Sequence, residues 1–193
     1  MTHIHLIGIC GHPLHGKTTV QNMIERAFEA HSIDTGDFLR QKAVELFKLS
    51  WEDVSTQEGK LRVLGIDPQG NDVTVRKLLG DLGKLYEARF GRDYVTQVAI
   101  EKADAIGQAY PGTIVTLGGV RMTQGQAVQK AGGFMIEVVD PRKPRSPHDF
   151  DQYDPRFIDA HILNDGTLDN LRANVVRIVN SLVNPPMVQS ASR

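Results

Sequence analysis

The stretch GICGHPLHGKTTV, residues 8–20, decides how the chain is read. It follows an apolar run and precedes a helix-like pattern, and it fits the spacing Gly, four residues, Gly, Lys, then Ser or Thr. The matching residues are Gly11, Gly16, Lys17 and Thr18, with His12, Pro13, Leu14 and His15 between the glycines. A phosphate tail needs several donors around it and no bulky side chain in the way. Gly11 and Gly16 let the backbone turn so that amide groups point inward, and a helix N-terminus adds its positive end. Lys17 is placed to neutralise β- and γ-phosphates, Thr18 to offer its hydroxyl to Mg²⁺, and Thr19 to reach an α-phosphate. The context supports this reading. IHLIGIC is a short buried strand, and Val20, Met23, Ile24, Ala27 and Phe28 recur at helical spacing from Lys17 onward.

Outward from the loop, strands and helices alternate. HSID reads as a weak second strand. GDFLRQKAVELFK is helical, with Leu39, Ala43, Leu46 and Phe47 on one stripe, and Ser50 with Asp53 forms a capping box for a further short helix. VLGIDPQGND is turn-rich. A long helical pattern of Val75, Leu78, Leu79, Leu82 and Leu85 follows, then a break near Gly91 and a second pattern of Tyr94, Val98, Ala103 and Ile106. GTIVTLGG and FMIEVVD are strand-like and flank the helical TQGQAVQKA. PRKPRSPHDFDQYDPR has no periodicity. HIL, the turn NDG and a helix bearing Leu168, Leu171, Val175, Ile178 and Leu182 complete the order. Strands separated by helices imply parallel pairing, hence a three-layer α/β fold with a five-stranded parallel sheet flanked by helices. Ligands gather at the carboxyl edge of such sheets. The loop at Gly11, the turn at Thr35, the segment around Arg121 and the turn after Leu163 are all expected there.

The 193 residues suffice for one substantial core, read as one domain over 1–183 with a disordered tail at 184–193. Apolar residues make up 40 % and charged residues 23 %, and the net charge is −1, so general adhesion to nucleic acid or anionic membrane is not expected. No apolar run reaches the ~20 residues of a membrane span, and no signal-peptide profile opens the sequence. The single cysteine, Cys10, permits no internal disulfide, in keeping with a cytoplasmic setting, and is read as a packing residue.

DTGDFLR, residues 34–40, resembles the segment of adenylate kinases and related nucleoside monophosphate kinases that holds the acceptor nucleotide. The resemblance implies that Thr35 contacts base or sugar, that Asp37 belongs to the same acceptor site, and that Arg40 binds the acceptor phosphate. Its planar fork suits that task. The rest of the chain is similar to the phage-type deoxynucleoside monophosphate kinases. VRKLLGDLGKLYEARFGRDYV resembles their long helical segment, TIVTLGGVRMTQGQAVQKAGGFMIEVVDP their strand–Arg–helix–strand unit, and DAHILNDGTLDNL their closing strand and turn. The likeness runs from about residue 4 to about residue 180. It implies a P-loop NTPase fold with a short lid, at about 141–157, and an acceptor-binding helical part at about 35–110. By position, Arg76 and Arg121 contact the acceptor or transferring phosphate. Asn164, Asp165 and Gly166 lie against the donor base, and one of Arg142, Lys143 and Arg145 closes over the phosphates. ATP is the implied donor, with Mg²⁺, and a deoxynucleoside monophosphate the acceptor. No nucleic acid or membrane partner is implied, a homodimer is an admissible assembly, and a phage-encoded enzyme would work in the host cytoplasm.

One departure stands out. These kinases place an aspartate at the end of the third strand to orient Mg²⁺, whereas this chain has Gly118 and Gly119 there. Asp34 and Asp37 are the acids left for that role. His3 and His5 share a strand face without an identifiable third ligand, so zinc is not expected. His12 and His15 are read as loop residues able to touch phosphate. The resulting expectation is ATP-dependent phosphorylation of a nucleoside monophosphate. Its rivals are a nucleotide-binding protein without turnover, and another small-molecule kinase or partner-coupled ATPase.

Overall fold

In the computed structural model, which describes residues 4–147 and 151–184, strands and helices alternate along the chain. β1 (His5–Cys10) leads to α1 (Lys17–Phe28), β2 (His31–Asp34), α2 (Asp37–Phe47), α3 (Trp51–Ser55) and α4 (Gln57–Leu61). Next come β3 (Val63–Ile66), β4 (Asp72–Thr74), α5 (Val75–Phe90) and α6 (Tyr94–Ala109). β5 (Ile114–Gly118), α7 (Gln124–Lys130), β6 (Phe134–Val139), β7 (Ala160–Leu163) and α8 (Leu168–Val183) follow. Of the expected tail at 184–193, residues 185–193 lie outside the described residues, as do 148–150 of the expected lid and His3.

Two compact units result: residues up to Ile33 together with those from Ala103 onward, and Asp34–Lys102. The five-stranded sheet has the order β2-β5-β1-β6-β7. β1 pairs in parallel with β5 (His5 opposite Ile114) and with β6 (Ile7 opposite Phe134), and β6 pairs in parallel with β7. The strands read as near-continuous apolar runs because both faces are covered. On one face Ile7, Ile9, Ile136 and Val138 join Val20 and Ile24 of α1 and Leu171, Val175 and Val179 of α8 in a single core. On the other, Leu6 and Val128 of α7 both lie against Gly133. Cys10 is opposite Glu137 in the register. β1 lies between β5 and β6; the chain runs to one side of it for β2 and β5 and to the other for β6 and β7, so its carboxyl end lies at a switch point of the sheet.

The second unit packs Ala43, Leu49, Val54, Val75 and Leu82 around its own centre. The predicted capping box is present, with Ser50 Oγ accepting from the Asp53 amide and the Asp53 carboxylate accepting from the Ser50 amide. Two readings need correcting. VLGIDPQGND is more than a turn: β3 and β4 form an antiparallel pair, and only 67–71 turns, organised by Asp67 Oδ1 accepting from the amides of Gln69 and Asn71. Leu46 and Phe47 share the predicted stripe with Ala43 but are 60 % and 48 % exposed, because they fall in the last turn of α2 before Lys48 reverses the chain at φ 56°.

No helix among the described residues is long and apolar enough to cross a membrane. Leu171 is 2 % exposed within the α1–α8 core. Leu171→Ala is expected to lower unfolding free energy by about 2–5 kcal/mol through lost burial and a residual cavity, read as a shift in urea midpoint.

Candidate functional site

The loop between β1 and α1 is shaped by backbone geometry that only a few residues accept. Gly11 has φ 138° and Gly16 φ 97°. A Cβ at residue 11 would run into the carbonyl oxygen of Val138, and one at residue 16 would lie 2.5 Å from Asn164 Nδ2. Both glycines therefore answer a positive φ and a close neighbour at once. Leu14 also adopts φ 65° and is 74 % exposed. α1 begins with no side-chain cap and no acid in its first turn. The first amide groups of the helix are thus left without a competing carboxylate, which is the condition for an anion site. Lys17 Nζ donates to the His12 carbonyl oxygen at 2.7 Å, folded back over the loop it serves. Beside Thr19, a cavity of about 420 Å³ opens between α1 and α8, lined also by Asn22, Arg26, Leu168 and Arg172. Its size is that of a small-ligand pocket.

The end of β5 explains the missing acid. At Gly118 an added Cβ would lie 2.5 Å from Gln21 Oε1. Gln21 itself is held there, donating to the Ile33 carbonyl and to Thr116 Oγ1, each at 3.1 Å. A neutral amide fills the space into which a residue-118 side chain would grow. Gly119 has φ 73°, so it too is set by backbone need. The other two acids considered for the metal, Asp34 and Asp37, belong to the second unit and close on Arg40, at 3.3 and 2.6 Å. Burial opposes the Arg40 charge, but the two carboxylates more than offset it and its pKa is raised. Thr35 is buried next to them in sequence, and Arg76 Nη2 donates to Gln57 Oε1 at 2.8 Å. Arg40 is thus preset by its own acids.

Arg121, Arg142 and Asn164 belong to the first unit, as the loop does. Arg121 pairs with the buried Asp151 at 3.4 Å. Arg142 forms a two-pronged pair with Asp140 and donates to the Asn164 carbonyl at 2.8 Å. That fork holds the Asp140 carboxyl below its usual range. Asn164 Nδ2 in turn donates to the His15 carbonyl at 3.1 Å, which ties the NDG turn to the phosphate loop. Beneath the loop, Tyr153 donates to the buried Glu137, whose other oxygen lies 2.7 Å from His161 Nδ1. Burial, then Glu137, raises the Tyr153 pKa. Burial, again followed by Glu137, pushes the Cys10 thiol up to about 12.

Asp140, Asp151, Tyr153 and Gln21 were not singled out by sequence. Only the acid directly after the strand FMIEVV carried a local signal, since it falls at a carboxyl edge. Their partners are distant in the chain.

No protein-family model and no curated protein matches the chain. Among solved structures it is similar to dephospho-CoA kinase from Campylobacter jejuni, at 14 % identity and TM-score 0.52, covering 94 % of this chain and 98 % of that one. It is also similar to TT1252 from Thermus thermophilus, at 17 % identity and TM-score 0.54, covering 93 % and 98 %. At such identities the likeness is one of fold. The chain has the three-layer α/β fold of P-loop NTPases, with its parallel five-stranded sheet flanked by helices.

Two outcomes follow from this geometry. Cys10 is fully buried with a raised pKa, so it is expected to resist a thiol reagent at pH ~8 in the folded protein and to react on unfolding in urea. Gly119→Asp puts a side chain at φ 73° and is expected to cost about 1 kcal/mol, seen as a lower melting temperature with or without nucleotide.

Proposed function

We propose that the protein is an ATP-dependent kinase that transfers the γ-phosphoryl group to a nucleoside monophosphate, specifically a deoxynucleoside monophosphate. The observation that carries the reading is the cradle at the β1 carboxyl end: an uncapped helix N-terminus, two glycines at positive φ, and Lys17 beside them. The acceptor assignment rests on the resemblance of DTGDFLR, with Arg40 oriented by Asp34 and Asp37 as the acceptor-phosphate contact.

In this reading an oxygen of the acceptor phosphate attacks the γ-phosphorus while the bond from the γ-phosphorus to the β–γ bridging oxygen breaks, leaving ADP and a nucleoside diphosphate. No side chain has to take a proton. Lys17 leaves the His12 carbonyl for the phosphates, the α1 amides hold the β-phosphate, and Arg121 and Arg145 face the charge of the transferring group. The loop suits a nucleotide with Mg²⁺, since the α1 N-terminus carries neither a side-chain cap nor an acid, Lys17 lies over the loop, and Thr18 would supply a hydroxyl ligand. Held there by Thr18, Mg²⁺ would help neutralise the charge of the triphosphate.

The neutral Gln21 at the β5 edge favours one other reading, a nucleotide-binding protein that does not turn over. A coupled assay of ATP with each deoxynucleoside monophosphate and Mg²⁺ separates them. Transfer to one acceptor supports the kinase. Tight ATP binding without transfer to any acceptor would replace it, and transfer only to another small molecule would overturn the acceptor class. Lys17→Ala is expected to lower kcat/KM by more than about tenfold and to weaken ATP; near wild-type kinetics would remove the phosphate-loop assignment. Arg40→Ala is expected to raise the acceptor KM by about tenfold or more with ATP affinity nearly unchanged, and the reverse pattern in a titration moves the acceptor elsewhere.

A further inference from the structure

The chemistry above leaves two groups of the phosphate loop unused. His12 and His15 stand between Gly11 and Gly16, yet each is only 3 % exposed. The Nδ1 of His12 accepts the Ser146 amide at 3.2 Å. The Nδ1 of His15 accepts the Asp140 amide at 3.3 Å, and its Nε2 lies 3.4 Å from the Pro144 carbonyl oxygen. A nitrogen that accepts an amide N–H carries no proton. Both rings are therefore neutral with hydrogen on Nε2, which lets His15 donate to Pro144.

Between these anchor points the chain carries Arg142, Lys143 and Arg145. The contacts close a circuit: His15 to Asp140, Asp140 to Arg142, Arg142 to Asn164, and Asn164 back to the His15 carbonyl. The His12 contact opens a second connection. Its carbonyl oxygen takes the Lys17 ammonium while its ring holds Ser146. A phosphate that draws Lys17 away thus acts on the residue that fixes the arginine segment.

We propose that His12 and His15 are positioning residues that dock the Arg142–Arg145 segment, by its backbone, onto the phosphate loop, so that loop conformation and arginine placement form one coupled state that protonation of an imidazole breaks. The proposal rests on reading the loop as a phosphate site. Protonating His12 at Nδ1 sets one donor against another and loses the Ser146 bond. The groups facing His12 are the His15 ring at 5.5 Å, the Tyr153 ring at 5.3 Å, the cations of Lys17 and Arg145, and the carboxylate of Asp151. Those facing His15 are His12, the Asp140 amide, the Pro144 carbonyl and Asn164. Burial, then His15, Arg145 and Lys17, lowers the His12 pKa from 6.5, against Asp151. The unfolded chain accordingly takes up that proton first. The docking is fully stable above about pH 6.5 and loses stability as pH falls from there through the lowered value.

Two variants separate geometry from titration. His12→Asn places an amide oxygen near the position of Nδ1 and does not titrate, whereas His12→Phe fills the space without an acceptor. Amide hydrogen exchange at Asp140 and Ser146 in the nucleotide-free full chain is read beside affinity for a fluorescent ATP analogue with Mg²⁺, at about pH 7.5 and about pH 5.5. At the higher pH, Ser146 is expected to be protected in wild type and His12→Asn, and to exchange about tenfold faster or more in His12→Phe. Acidification is expected to weaken analogue binding by wild type about tenfold more than by His12→Asn, which also corrects for titration of the nucleotide. Wild-type exchange in His12→Phe, or a wild-type pH dependence in His12→Asn, overturns the proposal. If His12→Phe fails to fold, the comparison of wild type with His12→Asn still decides. Analogue binding without transfer to any acceptor removes the kinase reading and leaves the docking standing. If the analogue does not bind, Ser146 exchange in wild type and His12→Asn across the two pH values is decisive.

Discussion

Where β1 ends, the carbonyl oxygen of Val138 occupies the place that a side chain at residue 11 would need, and the backbone must leave the sheet at φ 138°. That contact joins two neighbouring parallel strands at their carboxyl ends and sets the direction in which the loop departs. Gly16, pressed in the same way by Asn164 at the end of β7, sets the direction in which α1 begins. With both ends of the loop fixed by the sheet, the α1 N-terminus and Lys17 have little choice of position. The shape of the loop follows from backbone crowding, with side-chain chemistry added to it.

The same edge is notable for its charge. Lys17, Arg121, Arg142 and Arg145 belong to the segments around it, while the position that could carry an acid at the end of β5 is closed by Gln21. Two of its acids, Asp140 and Asp151, are engaged by arginines. Arg121 and Arg142 are thus already held in place by partner carboxylates. Arginines preset in this way lose less side-chain freedom on binding than solvated ones would.

What could be read from sequence tracks how local the cause is. The loop, α1 and the buried strands β1, β5 and β6 were legible, since glycine spacing, helical period and apolar runs are written in consecutive residues. The hairpin was missed because all of β3 is exposed and its register breaks between Val63 and Gly65, which erases the alternation that marks a strand. Leu46 and Phe47 misled for the opposite reason, being apolar and in phase yet beyond the covered part of α2. In the site, the residue types of the phosphate loop were evident but their partners were not. His12 meets Ser146 across 134 positions, Asn164 meets His15 across 149, and Gln21 meets Thr116 across 95. No periodicity carries information over such separations.

The strand order also has a consequence in time. The second unit, Asp34–Lys102, is one unbroken stretch, whereas the first is assembled from the chain on either side of it. β1 precedes its neighbours by a long stretch of chain, since β5 and β6 begin at Ile114 and Phe134. Closing so long a loop is paid in entropy before any pairing rewards it, which slows parallel sheets generally. The inserted unit is therefore expected to gather its core while β1 still waits, as pulse-labelled exchange would show by late protection of His5–Cys10 relative to α5.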